Sequence, residues 1–270
     1  MTQTSNYKAY DVDSRITEIF DQTETQTEDV SLIRELIGEN RPLRILEPFC
    51  GNGRILIPLA QDGHQIVGID KSVPMLDSAR DKIRKLPGNV RDNITLLQAD
   101  VLSDEWPQNF DLVVLGGNCF YELATPAEQE KCVRFAQRSL KLNGYLFLDN
   151  DHIEGDLPAS WYQPGIEVNC FPTGRCSDGT TIIGSRGVMW HDVPKRLVRF
   201  RRTVEMITSD GIRTKKEWIE QKHPPSTAEM KAWLLKFGFT IEGLWGNRKK
   251  SPYNDESERA VFWAKLVKTT

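Results

Sequence analysis

The chain has 270 residues, 39% hydrophobic and 27% charged, so it is long enough for a sizeable folded domain and is not disordered by composition. A formal charge of −3 gives no global reason to expect nucleic acid or an anionic membrane as partner. No run approaches the about 18–20 apolar residues that span a bilayer, and the N-terminus lacks the apolar segment of a signal peptide. We therefore expect a cytoplasmic protein.

The cysteines and histidines indicate neither a disulfide framework nor a metal site. The five cysteines are scattered along the chain, and none forms a Cys-x-x-Cys pair. The four histidines are too far apart in the sequence to suggest a cluster of metal ligands. No metal is therefore expected.

Helical and strand-like segments alternate along the first half of the chain. The segment "TEDVSLIRELIGEN" has apolar residues at helical spacing and predicts a helix. The predicted strands that follow are "LRILEP", "QIVGID", "NITLLQAD", "FDLVVLGG" and "YLFLDND". The predicted helices between them are "GRILIPLAQDGH", "SVPMLDSARDKIRKL", which starts near the N-cap Ser72, and "TPAEQEKCVRFAQRSLKLNG", which starts with a capping box of Thr125 and Glu128. This alternation predicts a parallel sheet covered by helices on both faces.

The pattern changes after residue 152. Residues 160–222 contain turn signals and strand-like alternation without room for crossover helices, and Asp210-Gly211 predicts a hairpin turn. In "KRLVRFRRTVEM", basic and apolar residues alternate with period two, which predicts a strand with one solvated face; nucleic-acid binding is the weaker alternative. A helix with a second capping box, Ser226 and Glu229, and two more strands then follow.

These patterns predict an α/β fold, in which a seven-stranded sheet is flanked by helices and carries an antiparallel β insertion after the fifth strand. The expected organisation is an N-terminal helical segment and α/β core over residues 1–159, the insertion over 160–222, and the helix and strands that complete the sheet over 223–270. We expect the insertion to be a substrate cap or an oligomer interface.

The turn after the first predicted strand, "EPFCGNG", is the first candidate binding site. Ligands of open α/β sheets bind beyond the C-terminal ends of the strands, where glycines let backbone N–H groups approach them. A dinucleotide fingerprint would need a glycine where Leu56 stands, and a P-loop would need Gly-Lys-Ser/Thr. Glu47, before the glycines, would repel a pyrophosphate but suits a cationic ligand or an amino group. A plain tight turn is the alternative.

Acidic residues stand at the ends of three successive predicted strands. Asp70 ends the second strand, where a carboxylate accepts hydrogen bonds from ribose hydroxyls. Asp100 ends the third strand and could accept from an adenine amino group. Each acid alone is more often a solvated loop residue or a helix cap. The series that begins with Glu47 is much harder to explain in that way.

These motifs resemble, in order, those of the class I S-adenosylmethionine-dependent methyltransferases. "LEPFCGNG" resembles their first motif, "VGIDKS" the ribose-binding motif and "LQADVL" the adenine-binding motif. "FDLVVLGGN" resembles the fourth-strand motif, and "LKLNGYLFLD" the segment before the fifth strand. The resemblance covers residues 43–150 and resumes over 226–268. It implies a Rossmann-like fold and S-adenosylmethionine as cofactor, with S-adenosylhomocysteine as product.

Two departures from the family pattern are Phe49, where a glycine is usual, and Leu142-Asn143 in place of Pro-Gly. The first turn is also similar to that of nucleic-acid amino-methyltransferases, but "GGNCFYEL" replaces their Asp/Asn-Pro-Pro-Tyr-like motif, which argues against nucleic acid. The chain looks most like small-molecule methyltransferases of the glycine N-methyltransferase and amino-sugar N-methyltransferase kind. That resemblance implies a small-molecule acceptor, with an amine favoured, no membrane partner, and a homodimer left open.

Three alternatives to an N-methyltransferase stay open. The nearest is a small-molecule O-methyltransferase. The second is a protein that binds S-adenosylmethionine without methyl transfer, and the third is an RNA-modifying methyltransferase, which would bind RNA in a salt-dependent way.

The resemblance implies roles for the residues of these motifs. Glu47 would help to bind the amino group of the cofactor, Asp70 its ribose hydroxyls and Asp100 its adenine amine. The expected cofactor-binding residues are Glu47, Cys50, Gly51, Gly53, Asp70, Lys71, Met75, Asp100, Val101 and Asn118. For Met75 the alternative is a core position, and for Lys71 it is a solvated position. Arg54 is interpreted as solvated.

Methyl transfer needs a nucleophile that is held close to the methyl group and collinear with it, and an amine nucleophile must arrive neutral. His152 is the candidate base and Tyr121 the second candidate catalytic residue; an exposed loop histidine is the alternative for His152. The expected substrate-binding residues are Tyr10, Tyr121, Asp151, His152 and Trp190. For Tyr10, ordinary packing is the alternative.

Overall fold

The computed structural model describes residues 9–39, 42–154 and 158–268. The helices are α1 (Arg15–Thr23), α2 (Glu28–Ile37), α3 (Leu56–Gln61), α4 (Val73–Arg84), α5 (Gly88–Arg91), α6 (Pro126–Ser139), α7 (Ala159–Tyr162) and α8 (Thr227–Lys236), with 3-10 helices at Ala9–Asp11 and Cys119–Glu122. The strands are β1 (Arg44–Pro48), β2 (Gln65–Asp70), β3 (Ile94–Gln98), β4 (Phe110–Leu115), β5 (Leu140–Asp151), β6 (Glu167–Arg175), β7 (Thr181–Asp192), β8 (Leu197–Ile207), β9 (Arg213–Lys222), β10 (Phe239–Trp245) and β11 (Arg259–Leu266). Among the described residues, no helix is long and apolar enough to cross a membrane.

The chain divides into two compact units. The α/β unit is formed by the described residues of Gln26–Gly155 and Pro225–Thr270. The β unit is formed by the described residues of Met1–Thr25 and Asp156–Pro224, and it contains α1 as well as the four strands β6 to β9.

The sheet of the α/β unit has seven strands in the order β10-β11-β5-β4-β1-β2-β3. Strands β1 to β5 pair in parallel, whereas β11 lies antiparallel between β5 and β10. The predicted seven-stranded α/β fold is therefore confirmed. The strand order reverses between β1 and β4, and open α/β sheets bind their ligands beyond the C-terminal ends of the strands at such a reversal.

Helices cover both faces of this sheet. Neighbouring residues of a strand point to opposite faces, so apolar residues in sequence can pack against helices on either side. Ile45 of β1 packs on one side with Val30 of α2 and Leu56 of α3. Leu46, the next residue, packs on the other side with residues of α6 and α8. Both side chains are completely buried, so the central strands are apolar almost throughout. Polar residues are concentrated at the strand ends.

The β unit contains an antiparallel sheet in the order β6-β7-β8-β9, which confirms the predicted insertion. The predicted alternation along β8 is also confirmed. Phe200 and Val204 are buried, while Arg199 and Arg201 are exposed on the opposite face. The hairpin between β8 and β9 turns at Gly211, whose φ of 85° is typical of glycine at such a turn.

Both predicted capping boxes are present. At the start of α6, the Thr125 hydroxyl accepts the N–H of Glu128 at 3.2 Å, and the Glu128 carboxylate accepts the N–H of Thr125 at 3.1 Å. Ser226 and Glu229 repeat this arrangement at the start of α8, with distances of 3.1 and 2.8 Å. The local sequence therefore determines where these two helices begin.

We expect Ser226→Ala to lower the free energy of unfolding by about 1 kcal/mol, because an N–H group in the first turn of α8 loses its acceptor. The matched control is Ser78→Ala inside α4, where the same change raises helix propensity and should be neutral or slightly stabilising. Urea unfolding followed by circular dichroism measures both. Equal destabilisation by the two changes would contradict the capping role.

Candidate functional site

The turn between β1 and α3 is formed by left-handed backbone. Phe49, Gly51 and Gly53 have φ values of 61°, 52° and 84°. The Cys50 N–H donates to the carbonyl of Ile69 at 3.0 Å, which ties the turn to β2. The left-handed φ favours glycine at Gly51, and a Cβ there would lie 3.1 Å from Cε of Met75, which would have to shift slightly.

Asp70 fixes this turn from the end of β2. One carboxylate oxygen accepts the N–H of Gly51 at 2.9 Å, and the other accepts the N–H of Ser72 at 2.8 Å. Ser72 precedes α4 as predicted, although its hydroxyl does not cap the helix. Asp70 is only partly buried, so the carboxylate that shapes the turn is also open to a ligand.

Glu47 lies at the end of β1 and is 5% exposed. Burial raises its pKa well above the usual range, and the positive charge of Arg54 opposes this shift only in part. Its Oε2 atom is buried without a hydrogen-bond partner among the described residues. A buried carboxylate oxygen without a donor is costly unless a ligand supplies one, and an ammonium group would fit.

Cys50 and the glycine of β2 opposite the turn show how closely this region is packed. Cys50 is 4% exposed, and burial raises the pKa of its thiol well above the usual range. A Cβ at Gly68 would lie 2.7 Å from the Cys50 sulfur, so that position also needs glycine. Cys50 therefore supports the turn from inside.

Asp100 and Lys71 lie next to each other beyond β3 and β2. The Lys71 Nζ atom is 3.9 Å from a carboxylate oxygen of Asp100, and both side chains are 39% exposed. Asp100 also accepts the N–H of Leu102 at 2.9 Å. Met75 and Val101 are buried, at 3% and 6% exposure.

Asn118, Tyr121 and Asp151 meet at the ends of β4 and β5. Asn118 has a left-handed φ of 62°, and its side-chain amide binds Asp151 twice: it accepts the Asp151 N–H at 2.7 Å and donates to the carboxylate at 3.0 Å. The Tyr121 hydroxyl donates to the Asp151 carbonyl at 3.0 Å. The Asp151 side chain remains 44% exposed, so its carboxylate faces solvent beside this cluster.

The side chain of His152 is 4% exposed, and both of its ring nitrogens have partners. Nδ1 donates to the carbonyl oxygen of Ser257 at 2.9 Å, and Nε2 lies 2.8 Å from the Tyr253 hydroxyl. The alternative of an exposed loop histidine is therefore wrong. His152 holds the segment before β11 against the end of β5; its role as a base stays a prediction.

A network of buried charges lies behind these groups. Asp149 is completely buried; its two carboxylate oxygens accept from Arg259 at 2.6 Å and from Arg248 at 2.9 Å. Arg259 also contacts the carboxylate of Asp151 and donates to Asn118 at 2.9 Å. Burial acts to lower the pKa of Arg259, but the nearby carboxylates outweigh it and raise it. We call Asp29, Arg54, Asp149, Arg248 and Arg259 the buried ion network.

Arg54 corrects one sequence interpretation. It was expected to be solvated, but its side chain is 18% exposed and forms a bidentate pair with the completely buried Asp29. Burial acts to raise the pKa of Asp29, but the hydrogen bonds and charge of Arg54 outweigh it, so this pKa lies below its usual range. Arg248 lies 3.7 Å from the same carboxylate. No local pattern in the sequence indicated these pairs, because their members are far apart along the chain.

Two of the expected substrate-binding residues belong to the β unit. Tyr10 lies in the 3-10 helix Ala9–Asp11, and its side chain is outside the part that the structure describes. Trp190 of β7 is 41% exposed, and the guanidinium of Arg199 lies 5.2 Å from its ring centre. Among the described residues, no group of three or more His, Cys, Asp or Glu side chains is arranged to hold a metal ion.

Comparison with known proteins identifies the family of this chain. A family profile described as "Methyltransferase domain" matches residues 39–218. The cypemycin N-terminal methyltransferase of Streptomyces sp is 23% identical over 230 residues, which are 83% of this chain and 85% of that protein. The structure of the CcbJ methyltransferase from Streptomyces caelestis is similar with a TM-score of 0.70 and 18% identity, over 97% of this chain and 100% of that chain. An S-adenosylmethionine-dependent methyltransferase from Clostridium acetobutylicum gives a TM-score of 0.71 and 14% identity, over 93% of this chain and 98% of that one.

The match to the family profile covers well over half of the chain, so the chain belongs to the methyltransferase-domain family. It is a class I methyltransferase that depends on S-adenosylmethionine, and its α/β unit has the Rossmann-like fold of that class. The predicted family, enzyme class and cofactor are confirmed.

We expect Arg54→Met to lower the free energy of unfolding by about 3–5 kcal/mol at neutral pH, because it leaves the buried Asp29 carboxylate without its bidentate partner. The matched control is Arg80→Met, which breaks an exposed pair with Asp77 and should cost less than about 1 kcal/mol. Urea unfolding of both variants measures the difference. A cost for Arg54→Met as small as that of the control would contradict the role of the network.

The difference in stability between wild type and Arg54→Met should shrink as the pH falls from neutral through the raised Asp29 pKa of the variant towards the lowered Asp29 pKa of the wild type. The folded-state pKa of Asp29 is lowered, so its contribution is complete above the unfolded-state pKa and is lost as pH falls through the folded-state value. In the variant, burial raises this pKa, and a protonated Asp29 does not need a cationic partner. A difference that is constant from pH 7 to the acid limit of folding would contradict this assignment.

Proposed function

We propose that this enzyme transfers the methyl group of S-adenosylmethionine to an amine of a small molecule. The observation that carries the proposal is the group at the ends of β4 and β5, where the half-exposed Asp151 carboxylate is held by Asn118 and Arg259. It presents oxygen atoms, which accept hydrogen bonds from an amine and stabilise the positive charge that the amine gains.

The residues of the α/β unit fit the cofactor, which when bound supplies a methyl group on a sulfonium with a good leaving group. Glu47, with its partnerless buried Oε2, would take the ammonium of the amino-acid end. Asp70 would hold the ribose hydroxyls, and Asp100 the adenine amine. The expected cofactor-binding residues Cys50, Gly51, Gly53, Lys71, Met75, Val101 and Asn118 are proposed to complete this site.

The charge balance favours an amine over a hydroxyl acceptor. The amine nitrogen forms the bond to the methyl carbon while the carbon–sulfur bond breaks with its electron pair left on sulfur, and the extra proton leaves to solvent. A hydroxyl would need a base during the reaction because its pKa is high. His152 has both ring nitrogens occupied by Ser257 and Tyr253, so it is better placed to hold the site than to take a proton.

One curated relative supports this choice of acceptor. The cypemycin N-terminal methyltransferase, which spans most of this chain, is named for methylation at an amino terminus. Tyr121, which anchors the Asp151 carbonyl, is proposed to position the acceptor. Tyr10 and Trp190 of the β unit remain candidates for substrate contact.

The function is tested by incubating the enzyme with S-adenosylmethionine and matched pairs of small molecules that differ by an amine or a hydroxyl at one position. Mass spectrometry should show methylated amines and one S-adenosylhomocysteine formed for each methyl group transferred. The rate should rise with pH as the amine loses its proton. Methylation of the hydroxyl members would establish an O-methyltransferase, and methylation of RNA alone would contradict a small-molecule acceptor.

Glu47→Gln should weaken the binding of S-adenosylhomocysteine about 10–100-fold, because a hydrogen bond to a charged group contributes roughly 1.5–3 kcal/mol. Adenosine, which lacks the amino-acid end, should bind equally well to wild type and variant. Glu39→Gln, at an exposed acid of the same unit, is the matched control. Isothermal titration calorimetry measures the binding of both ligands to the wild type and to the two variants. An equal loss for adenosine would contradict the assignment of Glu47 to the ammonium.

Glu47→Gln should also stabilise the ligand-free protein at neutral pH. The folded-state pKa of Glu47 is raised, so the native state binds more protons than the unfolded state above about pH 4.3. The free energy of unfolding therefore falls as pH rises from that value through the folded-state pKa, and the variant lacks this loss. Thermal unfolding from pH 4 to pH 8 measures it; a variant that is less stable than wild type at pH 8 would contradict it.

A further inference from the structure

Arg186 lies in the middle of β7, on the face of the antiparallel sheet that also carries the buried Val188. Its guanidinium lies 4.5 Å from the ring centre of Trp161 and 4.5 Å from that of Phe200. The two rings contact each other edge to face at 5.5 Å. Because the aromatic rings cover the guanidinium, its N–H groups remain the part that can bind a partner.

No such partner is found among the described residues. Among the described residues, the buried Nη1 atom of Arg186 has no hydrogen-bond acceptor, although the charge of Glu220 acts on this side chain. Burial lowers the pKa of Arg186, as expected where the charged form is desolvated. A buried charge without a partner is destabilising. The residue as a whole is only half-buried, so other atoms of Arg186 remain open to solvent.

A second arginine lies directly opposite on β8, since Arg186 and Arg202 are paired in the register of the sheet. Arg202 donates to the carbonyl of Phe171 at 2.6 Å, while its Nε is 3.7 Å from a Glu220 oxygen and has no hydrogen-bond acceptor. Glu220 also pairs with Lys222 at 3.2 Å. Glu220 is therefore shared by Arg202 and Lys222, and its charge also acts on Arg186.

Like charges that face each other across two strands destabilise a sheet unless an opposite charge lies between them. Among the described residues, neither the buried Nη1 of Arg186 nor the buried Nε of Arg202 has an acceptor, and both arginines are on the same face of the sheet. Guanidinium groups bind carboxylate and phosphate groups by paired, charge-assisted hydrogen bonds. The missing component has the chemistry of a small oxyanion.

We propose that Arg186 and Arg202 form a binding site on the β unit for the carboxylate or phosphate group of a small molecule; we call it the Arg186 site. The aromatic rings of Trp161 and Phe200 fix the orientation of the guanidinium, and Arg202 supplies the second cation. The proposal depends on residues of the β unit and holds whichever atom the enzyme methylates.

The test uses benzoate and phenyl phosphate as probes, with benzamide as the neutral analogue of benzoate. Trp161 lies against the guanidinium, so tryptophan fluorescence should report binding, and isothermal titration gives the affinity. Wild type should bind both anions saturably and benzamide at least tenfold more weakly. Equal binding of benzamide and benzoate would overturn the proposal, because the site would then recognise the ring rather than the charge.

Three variants assign the binding to Arg186. Arg186→Met should weaken both anions at least tenfold. The matched control is Arg199→Met, on the exposed face of the same sheet, where Arg199 lies over Trp190 and bonds Gln221 at 3.0 Å; it should change the affinity less than twofold. Arg186→Lys should also weaken binding severalfold, because an ammonium lacks the paired donors. Unchanged affinity in Arg186→Met or Arg186→Lys would overturn the proposal.

The melting temperature separates a ligand site from a structural arginine. Without ligand, Arg186→Met should raise it by about 2–4 °C, because an unpaired charge is replaced by an apolar side chain. A fall in the melting temperature together with unchanged anion affinity would show that Arg186 has a structural role and would overturn the proposal.

The source of the oxyanion is decided by the effect of benzoate on methyl transfer. If the bound group belongs to the methyl acceptor, benzoate inhibits competitively against the acceptor, and Arg186→Met raises KM more than it lowers kcat. If it belongs to a separate ligand, benzoate binds without competing. Both outcomes support an oxyanion site, and they separate its two sources.

Discussion

The completely buried Asp149 carboxylate, held between Arg248 and Arg259, is the interaction on which the functional edge of the sheet depends. The carboxylate comes from the end of β5, whereas both arginines come from the C-terminal segment. Arg259 extends the interaction to Asp151 and Asn118, which are proposed to shape the acceptor side of the site. Loss of the Asp149 carboxylate would remove the shared partner of both arginines, and breaking a buried ion pair typically costs about 3–5 kcal/mol. Stability and site geometry are therefore coupled here.

Two buried carboxylates of the α/β unit have pKa values shifted in opposite directions. Asp29 is ionised because Arg54 binds it in a bidentate pair, whereas Glu47 is shifted towards its neutral form by burial. The first stabilises the fold, and the second is proposed to await the ammonium of the cofactor. Arg186 of the β unit resembles Glu47 in this respect, because its buried Nη1 has no acceptor among the described residues. Proteins commonly give up some stability where a ligand will supply the missing partner.

Much of the fold followed from local patterns. The apolar strands and the capping boxes at Thr125 and Ser226 depend on residues within one turn or one strand, and the structure has them as predicted. The glycine turn and Asp70 at the end of β2 were also predicted, because the C-terminal ends of parallel strands meet at one edge of a sheet. The solvated position expected for Arg54 was wrong, because its partner Asp29 lies in another helix and no local pattern links them.

The sequence by itself determined the class of fold, the family and the edge of the sheet at which the cofactor site is proposed, because these depend on short-range periodicity and on motifs in a fixed order. Only the tertiary structure decided which charges are buried and which are paired. Asp149 and Arg259 meet because β11 runs antiparallel beside β5. The register of β7 and β8 places Arg202 opposite Arg186, whose Nη1 has no acceptor among the described residues. Pairing between distant residues depends on strand order and register, which local sequence patterns do not specify.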